Sequence, residues 1–304
     1  MKSISKIIVI PELGIFSGEP LKEPSRWKPN SLGSRMQSTL VPPLSYNGTQ
    51  MEAYGRSLPK DDVGGDLMDL VADGNDVTAY VADVSGHGFR AGVLMGMVKT
   101  AVRYGLLVGQ PLTMLLDDLN RVLPALKEPN MYTTFAALRF NGSHEAEYVS
   151  AGHVPLLHYR HSTHDITRYC VPQLPLGLIA AEGYTSTKIQ FQAGDILAMV
   201  TDGIVERGEE PDSDCGLDRI TKLLRNNADA SLPDLTQLIY ADLGRYGKQR
   251  DDETVLLVKA RNETLVDPRA DAPILLRESA RNTAVLESMW NRLLDDLADD
   301  LSRK

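Results

Sequence analysis

Two rhythms of apolar and polar positions run along the chain. Short β-branched runs bounded by glycine, asparagine, aspartate or proline occupy 77–84, 132–140, 147–150, 156–159, 187–191, 195–201 and 254–259, and predict strands. Longer blocks with apolar residues at helical spacing, 89–107 and 112–126, follow the first of these runs, and 217–226 and 232–245 precede the last. Pro233 falls near the start of its block, where a missing N–H costs a helix nothing. Strands in hairpin-like succession, with helices gathered in blocks rather than alternating one for one, predict an α+β layered fold and not a doubly wound one.

Prolines at 11, 20, 24, 29, 42 and 43 interrupt any periodicity before position 45, so 1–45 reads as an irregular lead-in with one strand and one short helix. The core domain is expected over 46–261, and 262–304 form a polar linker and an amphipathic helix. In that last segment Val285, Met289, Leu293, Leu297 and Leu301 recur every four residues beside Leu286, Trp290 and Leu294. Such a helix needs a surface to cover, either its own domain or a partner, a homodimer included.

The 304 residues include 32 basic and 41 acidic side chains, a net charge of −9, which speaks against a protein that tracks a nucleic-acid backbone. Two cysteines, Cys170 and Cys215, offer no disulfide framework and no Cys-x-x-Cys metal site, and the chain reads as cytoplasmic. No membrane segment is expected: the apolar run at 7–10 stops at Pro11, and the stretch 89–109 carries Arg90, Lys99 and Arg103.

Four segments place aspartate at the end of an apolar run, beside glycine or another aspartate. They are Gly64-Gly65-Asp66, Asp83-Val84-Ser85-Gly86-His87-Gly88, Thr201-Asp202-Gly203 and Asp251-Asp252-Glu253-Thr254. Each alone is an ordinary turn signal. Together they suit a hard divalent cation, which takes oxygen ligands and keeps several waters. A dinucleotide loop at Gly86–Gly92 is rejected, because the spacing is Gly-x-Gly-x-x-x-Gly and no acidic residue closes a second strand. No P-loop occurs, and neither cysteine is followed five residues later by arginine. His87 reads as a helix-capping loop residue or a proton donor, and His153 as structural. The acidic run Glu206, Glu209, Glu210, Asp212, Asp214 and Asp218 reads as a solvated loop or as a flap selecting partners by charge.

In this order, with Ser150-Ala151-Gly152-His153 and Pro175-Leu176-Gly177 between them, these segments resemble the SpoIIE-type branch of the protein phosphatase 2C family, of the RsbU kind, over about 37–260. The resemblance implies a four-layer αββα sandwich with two Mn²⁺ or Mg²⁺ ions. It implies hydrolysis of phosphoserine or phosphothreonine, typically on a phosphorylated STAS-type anti-sigma-factor antagonist. Carried over, Asp83 bridges both metals, the Val84 carbonyl completes one site, Asp202 and Asp251 hold the second metal, and Asp66 acts mainly through water. Asp252 stands where the wider family often has asparagine, leaving its role open. No arginine just before Gly64 serves as a phosphate clamp, Arg56 being eight residues upstream. The competing reading is a phosphatase-like module that binds a signalling partner without turnover; four retained aspartates argue against it, since a scaffold has no use for mutually repelling carboxylates.

Overall fold

The computed structural model describes residues 31–73, 76–141, 145–179, 183–207 and 213–261. The first 30 residues and the expected amphipathic helix beyond 262 lie outside the described residues, as do positions 208–212 of the acidic run. The chain begins with α1 (Leu32–Leu40), β1 (Leu44–Asn47), β2 (Met51–Leu58), β3 (Asp66–Asp73) and β4 (Asp76–Val84). Next come α2 (Phe89–Leu107), α3 (Leu112–Val122) and the strands β5 (Thr133–Phe140), β6 (Glu145–Ala151), β7 (Leu156–Arg160), β8 (Asp165–Tyr169), β9 (Ser186–Gln190) and β10 (Ile196–Val200). It continues through α4 (Asp202–Val205), α5 (Ser213–Asn226) and α6 (Leu232–Leu243) into β11 (Glu253–Ala260).

Among the described residues the named strands pair antiparallel throughout. One sheet has the order β1-β2-β11-β10-β7-β8 and the other β3-β4-β5-β6-β9. Helix α2 packs on β3 and β4 and α3 on β6, while α5 covers β7 and β8 and α6 covers β2 and β11. The result is the expected αββα sandwich. Strand β11 shows why the central strands read as unbroken apolar runs: Leu256 and Val258 face the core between the sheets, and Val255 and Leu257 face the core under α5 and α6. Both faces are covered, so no polar alternation survives.

The departures from the expected elements have local causes. Helix α3 ends at Val122 and passes into a tight 3₁₀ turn, Leu123–Ala125, because Pro124 offers no N–H and disfavours helix before it. Strands β2, β3 and β8 carry Gly55, Asp69 and Arg168, which disguise them. Among the described residues no helix is long and apolar enough to cross a membrane.

Asp69 shows how a charge is accommodated under α2. Its buried carboxylate accepts bonds from Arg103 Nε at 2.6 Å, Arg103 Nη2 at 2.8 Å and the Tyr80 hydroxyl at 2.9 Å, with Lys99 Nζ at 3.3 Å. Burial pushes its pKa up, but Arg103 and Lys99 outweigh it and the net shift is below 3.8. A carboxyl with a depressed folded-state pKa stabilises the fold above its unfolded value and loses that contribution as pH falls through the folded one. Asp69→Asn should therefore cost roughly 1.5–3 kcal/mol at neutral pH. The gap to wild type should close in urea unfolding below pH 3.8; a constant gap across that range would disprove the assignment.

Candidate active site

The four aspartate segments meet at one end of the sandwich. Asp66, opening β3, is the cross-strand partner of Asp83 near the end of β4. Asp202 opens α4 directly after β10, and Asp251 and Asp252 lead into β11, whose Val255 pairs with Val200 at the end of β10. Beyond Val84 the chain turns into α2 through Gly86 and Gly88, whose φ of 92° and 80° suit glycine and strain other residues.

Hydroxyl groups stitch the sheets together here. Asp66 Oδ2 accepts from Thr201 Oγ1 at 2.8 Å and from Thr254 Oγ1 at 2.6 Å, and the Thr254 hydroxyl lies 2.9 Å from that of Ser57. Asp252 is taken up by backbone: Oδ1 accepts the Lys60 N–H at 2.7 Å and Oδ2 the Gly65 N–H at 2.6 Å. These two bonds hold the loop before Asp66 against the entry of β11. The Gly64 N–H donates to Gln37 Oε1 at 3.1 Å, so α1, inside the expected irregular lead-in, buttresses the same loop. The glycines are required by proximity: a Cβ on Gly65 would lie 2.5 Å from the Val84 carbonyl oxygen, and one on Gly64 2.6 Å from Asp252 Oδ2.

The carboxylates also feel one another. Burial raises the Asp66 pKa well above its ordinary value, with the charges of Asp83 and Asp252 adding to it and the two threonine hydroxyls opposing. Asp83 is raised by burial and then by Asp202, Asp251 and Asp252. Asp202 is pushed up to about 6 by burial, then by Asp251 and Glu206. Asp252 is raised chiefly by burial, against the two backbone N–H groups it accepts. These are groups short of positive charge. Among the described residues no three carboxylate or imidazole side chains close on one point as a ready-made cage. The donors present in the cluster are carboxylate and carbonyl oxygens, the ligand type that hard divalent cations take.

A cleft lined by Asp202, Gly203, Glu206, Arg207, Arg250 and Asp251 opens beside this cluster. Arg207 is committed to buried Glu253, whose carboxyl burial pushes up to about 7 against the arginine's pull, and to the Gly247 carbonyl at 2.6 Å. Arg250 is the exposed cation of the cleft. Arg56 points the other way: Ser57 reaches Thr254 between the sheets, so strand alternation sends Arg56 to the helix side, where its carbonyl meets the Tyr240 hydroxyl at 2.9 Å.

The histidines divide. His87 Nδ1 lies 2.8 Å from Asp61 Oδ2 and ties the Gly86–Gly88 turn to the loop before Asp66; Gly88, not His87, occupies the helix cap. His153 Nδ1 pairs with Thr134 Oγ1 at 2.8 Å, and burial lowers its pKa to about 4. Both cysteines are exposed, Cys170 just past β8 and Cys215 on α5. Sequence reading missed Thr201, Thr254, Ser57 and Gln37, since hydroxyl and amide residues carry no signal until the sheets bring them together.

Comparison with known proteins bears on the family and the fold. The profile of the SpoIIE family, stage II sporulation protein E, matches residues 73–261. The phosphoserine phosphatase RsbU of Bacillus subtilis (strain 168) is 24% identical over 237 residues, 75% of this chain and 69% of RsbU. The solved RsbU and RsbW domains of a Mycobacterium tuberculosis protein superpose with a TM-score of 0.64 at 24% identity over 71% of this chain, which spans 61% of that one. The PP2C phosphatase domain of Bacillus subtilis SpoIIE, with a fragment of its regulatory domain, gives 0.62 at 20% identity over 72% of this chain and 65% of that structure. The match of more than half the chain to one family and the shared two-sheet sandwich lead to one conclusion: the chain belongs to the SpoIIE family and has the fold of protein phosphatase 2C-type domains.

Proposed function

We propose that the chain hydrolyses phosphoserine or phosphothreonine on a STAS-type anti-sigma-factor antagonist in a partner-switching pathway. Two Mn²⁺ or Mg²⁺ ions would be held by Asp66, Asp83, the Val84 carbonyl, Asp202 and Asp251. The observation that carries this reading is geometric: Asp66, buried, pairs across strands with half-buried Asp83, and Asp202 and Asp251 line one cleft at the same end of the sandwich, where the carboxylates repel one another. A non-catalytic binding module has no use for that repulsion. When bound, such ions make a water acidic enough to attack near neutral pH and offset charge on the phosphoryl oxygens.

The protein's own groups do the rest. Thr201 and Thr254 fix the Asp66 carboxylate, and Asp252 fixes the Gly64-Gly65 loop. Gly65 and Gly203 allow backbone to approach closely. Arg250, at the mouth of the cleft, takes the place of the clamp that Arg56 cannot be, meeting the phosphoryl group or the acidic surface of the phosphoprotein. The test is turnover of a phosphorylated STAS protein by wild type and Arg250→Ala. Wild type should release phosphate, and the variant should raise KM roughly tenfold with kcat nearly kept, as expected for loss of binding shared by ground and transition states. No phosphate release from any phosphorylated STAS protein, with p-nitrophenyl phosphate still hydrolysed, would overturn the substrate assignment.

A further inference from the structure

Helix α2 carries apolar residues on its outer as well as its inner side, yet stands on the outside of the sandwich. Its inner arc, including Leu94, Met95, Val98 and Val102, is buried against β3 and β4. Its outer arc leaves Phe89 71%, Met97 42%, Tyr104 67% and Leu107 73% exposed. At 100° per residue these four, with Val93, fall on one side of the helix, a stripe interrupted by Gly96 and exposed Thr100. Towards the N-terminal end the stripe becomes a groove, with Phe89, Val93 and Met97 forming one wall and Leu126 and Met131 the other. An apolar stripe of this length on a folded domain marks a covered surface.

We propose that this groove is the docking site for residues 283–301 of the same chain. Three observations select that occupant. First, the segment carries apolar ridges at every fourth position, Val285 to Leu301 beside Leu286, Trp290 and Leu294, the pattern that fills a groove from a helix. As a helix it would match the 19 residues of α2, about 28 Å.

Second, the charges complement. Helix α2 carries Arg90, Lys99 and Arg103 with no acidic residue, and the groove rim adds Lys127; Lys99 and Arg103 share the single carboxylate of Asp69 and Arg90 pairs with Glu128, which leaves this face with an excess of positive charge. Residues 283–301 carry Glu287, Asp295, Asp296, Asp299 and Asp300 against a single Arg292.

Third, the tether reaches. Arg261 is anchored at the β1–β2 turn, its N–H donating to the Gln50 carbonyl at 2.8 Å and its guanidinium to that of Gly48 at 3.3 Å. The same segment is pinned to α2 where Lys99 Nζ meets the Leu40 carbonyl at 2.5 Å. The eight residues from Leu40 to Gly48 span at most about 28 Å. The intervening 262–282 cover roughly 25 Å as a flexible coil and up to ~70 Å extended.

The test is disulfide trapping in the full chain with Cys170→Ser and Cys215→Ser as background. Met97→Cys with Leu294→Cys should close within one chain, at unchanged mass and independent of dilution, roughly tenfold faster than a merely tethered control pair, Arg245→Cys with Leu294→Cys. Arg245 is exposed beyond α6, on the opposite layer. Equal rates for the two pairs would overturn the proposal, and so would a covalent dimer, which would assign the groove to a second copy. Hydrogen exchange gives a readout without substitutions in the groove: deleting 276–304 should speed exchange in α2 and 122–131 while leaving α5 and α6 unchanged, and identical exchange with and without the segment would also refute docking.

Discussion

Asp83→Asn and Asp202→Asn are each expected to lower p-nitrophenyl phosphate turnover roughly hundredfold or more in the presence of Mn²⁺, the loss typical when a group stabilising transition-state charge is removed. The same substitutions should not unfold the protein. Without metal, each carboxyl pays for burial and for its neighbours' charge, so a neutral amide relieves the cluster, and thermal unfolding of the metal-free variants should come at or above the wild-type temperature. That combination of lost activity and kept stability distinguishes a ligand from a residue that merely holds the fold. Cys170→Ser with Cys215→Ser should leave turnover unchanged, as both thiols are exposed on the periphery. A dead double-cysteine variant beside a fully active Asp202→Asn would mean covalent chemistry and would end the present account.

Gly203→Ala should be nearly as damaging, through backbone and not through charge. A Cβ at position 203 would run into the carbonyl oxygen of Asp252 and crowd its carbonyl carbon. Neither atom is the free end of a side chain, so α4 and the 251–252 segment must move apart, and with them Asp202 and Asp251. Overpacking of this kind costs about 1–3 kcal/mol or more. A displacement near 1 Å among catalytic groups can cost on the order of hundredfold in rate. Gly183→Ala, with nothing within 4 Å of its Cβ, is the silent control. Wild-type turnover and melting in Gly203→Ala would show that the two segments are not held at the separation described.

How far the sequence led depended on the kind of signal. Strands buried on both faces, such as β4, β5 and β11, were legible because an apolar β-branched run is hard to mistake. Strands with charge or glycine inside them were not: Asp69 in β3 is neutralised only by Arg103 and Lys99 from a helix 30 residues later in the chain. At the candidate site, Asp66, Asp83, Asp202 and Asp251 stand out in the sequence as acids at the ends of apolar runs, in segments that carry glycine or another aspartate. That Asp251 faces the cleft while Asp252 is spent on the N–H groups of Lys60 and Gly65 follows from the entry of β11, which spacing alone does not fix. Gln37 was hidden for a different reason. It acts from α1 across 27 residues, in a stretch where prolines obscure the helix.

The most direct test of the central claim, a phosphatase whose carboxylate cluster works through divalent cations, is turnover of p-nitrophenyl phosphate after prolonged chelation and desalting. Carboxylate sites that leave positions to water hold Mg²⁺ or Mn²⁺ loosely, so chelator should strip them. The account predicts no measurable turnover in the stripped protein, recovery on adding Mn²⁺ or Mg²⁺, and no recovery in Asp83→Asn at the same metal concentration. Full turnover in the stripped wild-type protein would contradict it.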